Sequence, residues 1–105
     1  MKHRFDIIYA PQIKQHLKTI QRKYYSLIRK TIEEQLQSEP DTETTNRKFL
    51  KYPGVYDAEW EIRFGPDNQF RVLYEINREY NEVHILAIGM KQRNRLIIEG
   101  KEARQ

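Results

Sequence analysis

The chain has 105 residues, which is one domain by length and enough for a single modest core. Its 19 Lys and Arg against 15 Asp and Glu give a formal net charge of +4, which permits a nucleic-acid partner but fits a solvated basic surface equally well. The lack of cysteine excludes disulfides and thiolate metal sites, and no apolar run has transmembrane or signal-peptide length, so a cytoplasmic protein without a membrane segment is the expectation.

Residues 4–9 alternate, with Phe5, Ile7 and Tyr9 on one side, which predicts a short strand ended by Ala10 and Pro11. A helical period follows. Ile13, Leu17 and Ile20 recur at helical spacing, and Tyr24, Leu27, Ile28, Ile32 and Leu36 continue it after a change of phase near residues 21–23. That break predicts a helical hairpin rather than one long rod. Ser38, Glu39, Pro40 and Asp41 stop the second helix, and residues 41–46 form a polar loop.

Residues 47–56 are less regular, with a turn at Pro53-Gly54. Residues 60–74 then read as a hairpin. Trp60, Ile62 and Phe64 share one face of its first strand, and Glu61 and Arg63 share the other. Gly65-Pro66-Asp67-Asn68 is the turn, since proline presets φ and Asp and Asn bond back to their own backbone. On the return strand Val72, Tyr74 and Ile76 alternate with Arg71, Leu73 and Glu75.

After a polar turn over residues 77–81, residues 83–89 form the most apolar strand and so a central one. A basic segment carries Lys91, Arg93 and Arg95. Residues 96–98 form a short strand or a helical turn, and residues 99–105 a flexible tail. The order β-α-α-β-β-β predicts a single α+β domain over residues 1–105, with a helical hairpin on a small, mainly antiparallel sheet. Trp60, Ile62, Val72, Tyr74, Ile85 and Leu86 are the expected core. Ile85 and Leu86 point to opposite faces, so one of them is half exposed or covered by the C-terminal segment.

Arg63, Arg71, and Lys91 with Arg93 come from the ends of three successive strands, so a basic cluster on one sheet face or rim is available to them, and Glu61 can meet Arg63 and Arg71 on that face. RNA cleavage without a metal needs a base for the 2′-hydroxyl, cations for the charge on phosphorus-bound oxygens, and help for the leaving 5′-oxygen. Glu61 can be the base, Arg71 and Arg63 the charge stabilisers, and Lys91 or Arg93 the phosphate clamp or acid. The same spacing also fits solvated ion pairs on an open sheet face. His3 and His16 are expected to be exposed, and His84 half-buried. The three histidines show no metal-ligand spacing, and there is no Gly-rich phosphate loop, so no metal or cofactor is expected. Tyr52 and Tyr56 can stack on bases.

These residues resemble the RelE/ParE superfamily of bacterial type II toxins. The resemblance is carried by Leu-Lys-Tyr-Pro-Gly at 50–54, Trp-Glu-Ile-Arg at 60–63, Phe-Arg-Val-Leu-Tyr at 70–74, and 83–91 with Arg93. It implies a toxin that cleaves mRNA without a metal, in the RelE branch on the ribosome, leaving a 2′,3′-cyclic phosphate. It also implies a cognate antitoxin that covers the basic face. Arg71 matches the family's catalytic arginine. Arg63 falls where RelE carries a proton-transferring lysine, with Glu61 near it, and Lys91 matches a phosphate-contacting arginine. RNA binding then falls to Lys48, Lys51, Arg93 and Arg95. The sequence departs from the family at Ile97, where a tyrosine or histidine is usual. The ParE branch, which inhibits DNA gyrase, and an inactive antitoxin-pairing module are the alternative functions.

Overall fold

The structure, a computed structural model, describes residues 4–103. The chain runs through β1 (Asp6–Tyr9), α1 (Ile13–Lys18), α2 (Tyr25–Leu36), β2 (Arg47–Phe49), β3 (Trp60–Phe64), β4 (Phe70–Asn77), β5 (Glu82–Gln92), β6 (Arg95–Ile98) and β7 (Lys101–Ala103). It is an α+β fold whose sheet runs β2-β3-β4-β5-β6-β7, all antiparallel, with β1 added parallel to β5.

The alternation of β3 and β4 decides which face meets the helices. Trp60, Ile62, Phe64, Phe70, Val72 and Tyr74 join Ile13, Ile20, Ile28, Ile32 and Leu36 in the main core. The tyrosine hydroxyl is the one polar group that Tyr74 carries inside, and it donates to Pro40 O (2.6 Å). Burial therefore raises its pKa far above the ordinary tyrosine value. Between β3 and β4 the backbone turns through Gly65 at φ +84°, where a Cβ would lie 2.4 Å from the Phe70 ring, so only glycine fits. Asp67 and Asn68 follow in left-handed conformations, which Asp and Asn tolerate best among residues with a side chain.

The helical hairpin breaks where the phase change predicts. α1 ends at Lys18, a 3-10 turn covers Arg22–Tyr24, and α2 begins at Tyr25. Tyr25 Oη donates to Leu17 O (2.5 Å), which also accepts the Ile20 N–H (2.9 Å), and Thr19 Oγ1 donates to His16 O (3.0 Å), so side chains add to the bonding of the carbonyls at the helix end.

Three segments differ from the sequence reading, and a fourth, left open there, takes one of its two alternatives. The irregular stretch after residue 46 contains β2, anchored by Arg47, whose buried guanidinium donates to Glu39 O, Thr42 O and Gln35 Oε1. The apolar strand does not stop at Gly89 but continues as β5 to Gln92. Residues 96–98, open between strand and helix, belong to β6. Within the segment read as a tail, Lys101–Ala103 forms β7 against β6. A hairpin turn at residues 93–94 is what makes the last two strands possible, because it returns the chain onto β5.

β5 carries a bulge. Leu73 pairs with Ala87 but Tyr74 pairs with Ile85, so Leu86 is the extra residue. Ile85 and Ile88 thus face the main core, while Leu86 and Ala87 join a second cluster with Ala58, Leu73, Leu96 and Ile98. Leu86 is the half-buried member of the Ile85–Leu86 pair and packs against that second cluster, to which the C-terminal residue Ile98 belongs.

One edge of β5 is shared. β1 holds residues 82–85 and β6 holds residues 90–92. The gap is closed from α1: Gln12 Nε2 donates to Leu86 O (2.9 Å), and His16 Nδ1 accepts the Ile88 N–H (3.3 Å). His16 is fully buried, which corrects the expectation that it is exposed; a helical period alone does not reveal that this position faces an unpaired strand edge. His3 lies outside the described residues.

Burial pushes the His16 pKa below its ordinary value, with Glu99 opposing. Nδ1 must be unprotonated to accept from Ile88, so Nε2 carries the proton and meets the Tyr56 hydroxyl (3.3 Å). Protons therefore bind the unfolded chain more readily. Stability should be complete above about pH 6.5 and decline as pH falls through that value towards the lower folded pKa. Thermal melts across this range should show the decline, and His16→Asn, whose Oδ1 can accept from Ile88 without titrating, should lose that component.

Candidate active site

The face of the sheet opposite the helices carries the polar candidates. Antiparallel register places Arg63 of β3 opposite Arg71 of β4, and Arg71 opposite Gly89 of β5. Glu61, two residues before Arg63, is on the same face. Arg63 Nε donates to Glu61 Oε1 (2.9 Å), and Arg71 Nε lies 3.3 Å from the same oxygen. Arg71 Nη1 also donates to Asn68 O and to Phe70 O (3.2 Å), which aims the guanidinium from the turn before β4.

This is not the open, solvated face that surface ion pairs would occupy. Glu61 and Arg71 are each only 6% exposed. Burial, and then the neighbouring Arg63 charge, lower the Arg71 pKa from its ordinary value, while Glu61 raises it. The guanidinium nevertheless stays protonated at any physiological pH. Arg71 is thus a buried, hydrogen-bonded charge, and its loss would affect the fold as well as the cleft.

The β5–β6 hairpin supplies the remaining wall. A cleft of about 220 Å³ is lined by Glu61, Arg63, Arg71, Lys91, Asn94, Arg95 and Leu96. Four cationic side chains thus line the cleft with one carboxylate, and Glu102 outside the lining lies 4.0 Å from Arg95 Nε, which leaves an excess of positive charge that a bound anion would neutralise. Gly89 lets the wall close. A Cβ there would lie 2.6 Å from Ile97 O and 2.8 Å from Ile98 Cγ1, so only glycine lets β6 cross at this height. Ile97 itself is half-buried on β6, paired with Met90, and is not among the residues lining the cleft.

The sequence candidates divide as follows. Glu61, Arg63, Arg71, Lys91 and Arg95 converge. Arg93 lines an adjoining cleft of about 410 Å³ with Pro66, Asp67, Gln69 and Lys91. Lys48 pairs in register with Glu61 and is exposed one strand away, outside the cleft lining. Lys51 holds its ammonium 5.8 Å from the Tyr52 ring centroid, also outside. Tyr52 is exposed, while Tyr56 is engaged with His16. His84 pairs with Glu82 (3.0 Å). Among the described residues no group of three or more His, Asp or Glu is gathered as a metal would require. Asn94 was missed. The signal for it was the two-residue Arg93-Asn94 turn, which the run of basic residues disguised.

On the helical side an apolar groove of about 450 Å³ runs between β1, α1 and α2, lined by Tyr9, Ile13, Leu17, Tyr25, Ile28 and Ile32, with Lys14 and Arg29 also in its lining. No helix among the described residues is long and apolar enough to cross a membrane.

Residues 7–95 match the profile described as the ParE toxin of type II toxin-antitoxin system, parDE. Among solved structures, the fold is similar to a chain of the toxin-antitoxin complex RelBE2 from Mycobacterium tuberculosis. The TM-score is 0.67 at 18% sequence identity, covering 84% of this chain and 92% of that one. No curated protein sequence matches the chain.

Removing Glu61's charge leaves two guanidinium groups facing each other, one of them buried. Breaking a buried pair from one side typically costs about 3–5 kcal/mol. Glu61→Gln should be destabilised on that scale in chemical denaturation, and inorganic phosphate should restore part of the loss by entering the cleft. Wild type should gain less from phosphate than the variant.

Proposed function

The chain belongs to the ParE toxin family of type II toxin–antitoxin systems, and from that premise we propose that it is an endoribonuclease that cleaves mRNA without a metal and so inhibits translation. The observation that carries this reading is the cleft itself: a carboxylate beside two arginines, with Lys91 and Arg95 completing a phosphate-sized cationic wall.

Glu61 takes the proton of the 2′-hydroxyl. The 2′-oxygen attacks phosphorus, and the bond from phosphorus to the 5′-oxygen breaks. Lys91 delivers a proton to that leaving oxygen, giving a 2′,3′-cyclic phosphate and a free 5′-hydroxyl. Arg71 and Arg63 hold the non-bridging oxygens, whose charge grows during attack, so these contacts strengthen towards the transition state and act on rate more than on binding. Arg71 is held by Asn68 O, Phe70 O and Glu61 before substrate arrives, so little reorganisation accompanies the reaction.

The partner is an antitoxin. The solved relative is itself a toxin–antitoxin complex. In this chain the apolar groove between β1 and the helices, with Lys14 and Arg29 beside it, suits an amphipathic acidic segment that folds as it binds. A second segment of the same partner would cover the basic cleft on the opposite face. Tyr9 lines the groove and is exposed, so Tyr9→Glu should weaken antitoxin binding at least about tenfold in a titration, with little effect on the fold.

Single-turnover cleavage of mRNA on programmed ribosomes tests the activity. Arg71→Ala should lower the rate roughly a hundredfold to a thousandfold. Because Arg71 is buried, circular dichroism and melting must accompany the assay, and Arg71→Lys, which keeps the charge but not the fork, should recover only part of the rate. A DNA supercoiling assay run in parallel separates the branches. Inhibition of gyrase with no RNA cleavage by the wild type would overturn the nuclease reading in favour of the gyrase inhibitor.

A further inference from the structure

The cleft beside the proposed nuclease site has a different chemical character. It shares Lys91 with that site but is otherwise lined by Pro66, Asp67, Gln69 and Arg93, and its volume is about 410 Å³. Among the described residues, the side chains of Asp67, Gln69, Lys91 and Arg93 make no hydrogen bond or ion pair with one another or with any other group. One carboxylate, one amide and two cations thus line a single solvent-facing cleft without an intramolecular partner.

The lips are held in place. The Lys91 N–H donates to Gln69 O (2.7 Å), tying the β3–β4 turn to β5. Asp67, Asn68 and Arg93 are all left-handed, at φ 53°, 51° and 58°. Non-glycine residues adopt this region at a cost, and they persist in it where the surroundings over-determine the backbone. On one side the lock is Gly65 against the Phe70 ring; on the other it is the two-residue turn of the β5–β6 hairpin.

A plain polyanion would be opposed by Asp67. A nucleotide would not, because it offers an anionic phosphate and also N–H donors on its base. We propose that this cleft is a base-recognition subsite, in which the nucleotide next to the scissile phosphate is read by Asp67 and Gln69 while Lys91 spans both clefts on the phosphate side and Arg93 lies along the base. The inference rests on the nuclease reading and adds the specificity residues to it.

The chemistry of the carboxylate selects the base. Its two oxygens match two adjacent N–H groups, which guanine presents at N1 and N2 on its Watson–Crick edge. Adenine and cytosine each place one amino group beside a bare ring nitrogen acceptor, which a carboxylate repels. Uracil flanks its single N–H with two carbonyls. Unpaired bases in single-stranded RNA are read at this edge, and a matched bidentate contact discriminates by roughly tenfold or more. Guanine is therefore the favoured base.

The test maps cleavage positions by primer extension on mRNA translated in vitro with the full chain. The readout is the ratio of cutting next to guanine to cutting next to other bases. Wild type should favour guanine about tenfold. Asp67→Asn should lose most of that ratio, since asparagine replaces one acceptor with a donor, and asparagine tolerates the left-handed backbone so that the turn survives. Replacing guanosine by inosine, which lacks the N2 amino group, should weaken cutting by wild type and have little effect on the variant. RNA cleavage with no base preference, or with a guanine preference that Asp67→Asn leaves unchanged, overturns the subsite while leaving the nuclease reading in place. No cleavage by wild type overturns both.

Discussion

The long strand β5 cannot be closed along one edge by strands alone. β1 takes its first part in parallel and β6 its last part antiparallel, which leaves backbone groups unpaired between them. Buried backbone donors and acceptors without partners are costly, so this gap constrains the whole fold. α1 is short, with only six residues. Its task is met by two side chains, Gln12 on Leu86 O and His16 on the Ile88 N–H. The bulge at Leu86 lies within that gap. It brings Ile88 back to the main core and sends Leu86 and Ala87 to the second face, where they support the C-terminal strands.

The two faces of the sheet are thereby given different work. The helical hairpin covers one face with aliphatic and aromatic contacts. The other is covered only in part, by Leu96, Ile98 and Ala103 over Leu73 and Ala87, and the uncovered remainder is the basic cleft. Arg71 stands at the boundary. Its burial in apolar surroundings would oppose folding if it were alone, but Glu61 and two backbone carbonyls satisfy most of its donors. Glu61 is shared with Arg63 (2.9 Å), and Glu102 lies 4.0 Å from Arg95 Nε, so the cations of the cleft, Lys91 among them, still outnumber the carboxylates beside them.

The same division separates the basic cleft from the apolar groove. The apolar groove between β1 and the helices opens on the side of the sheet away from the basic cleft. A partner that only filled the groove would leave the cleft open, and one that only neutralised the cleft would leave apolar surface exposed. An extended partner that wraps an edge of the sheet satisfies both.

Much of this was determined by the sequence alone. The alternation of Trp60, Ile62 and Phe64 with Glu61 and Arg63, the turn at residues 65–68 and the phase break between the helices are local patterns, because side-chain direction follows directly from strand and helix periodicity. The α+β class and the grouping of Glu61, Arg63, Arg71 and Lys91 followed from them. Tertiary structure decided the rest. Whether Glu61 and Arg71 are solvated or buried depends on β6 returning across Gly89, a contact between distant residues that no window of sequence contains. His16 reads as one more polar position on a helix until the unpaired edge of β5 lies against it. Asp67 and Asn94 reach their clefts only because two turns, separate in sequence, end up side by side. Periodicity reports which way a side chain points, but what it meets there is set by long-range pairing.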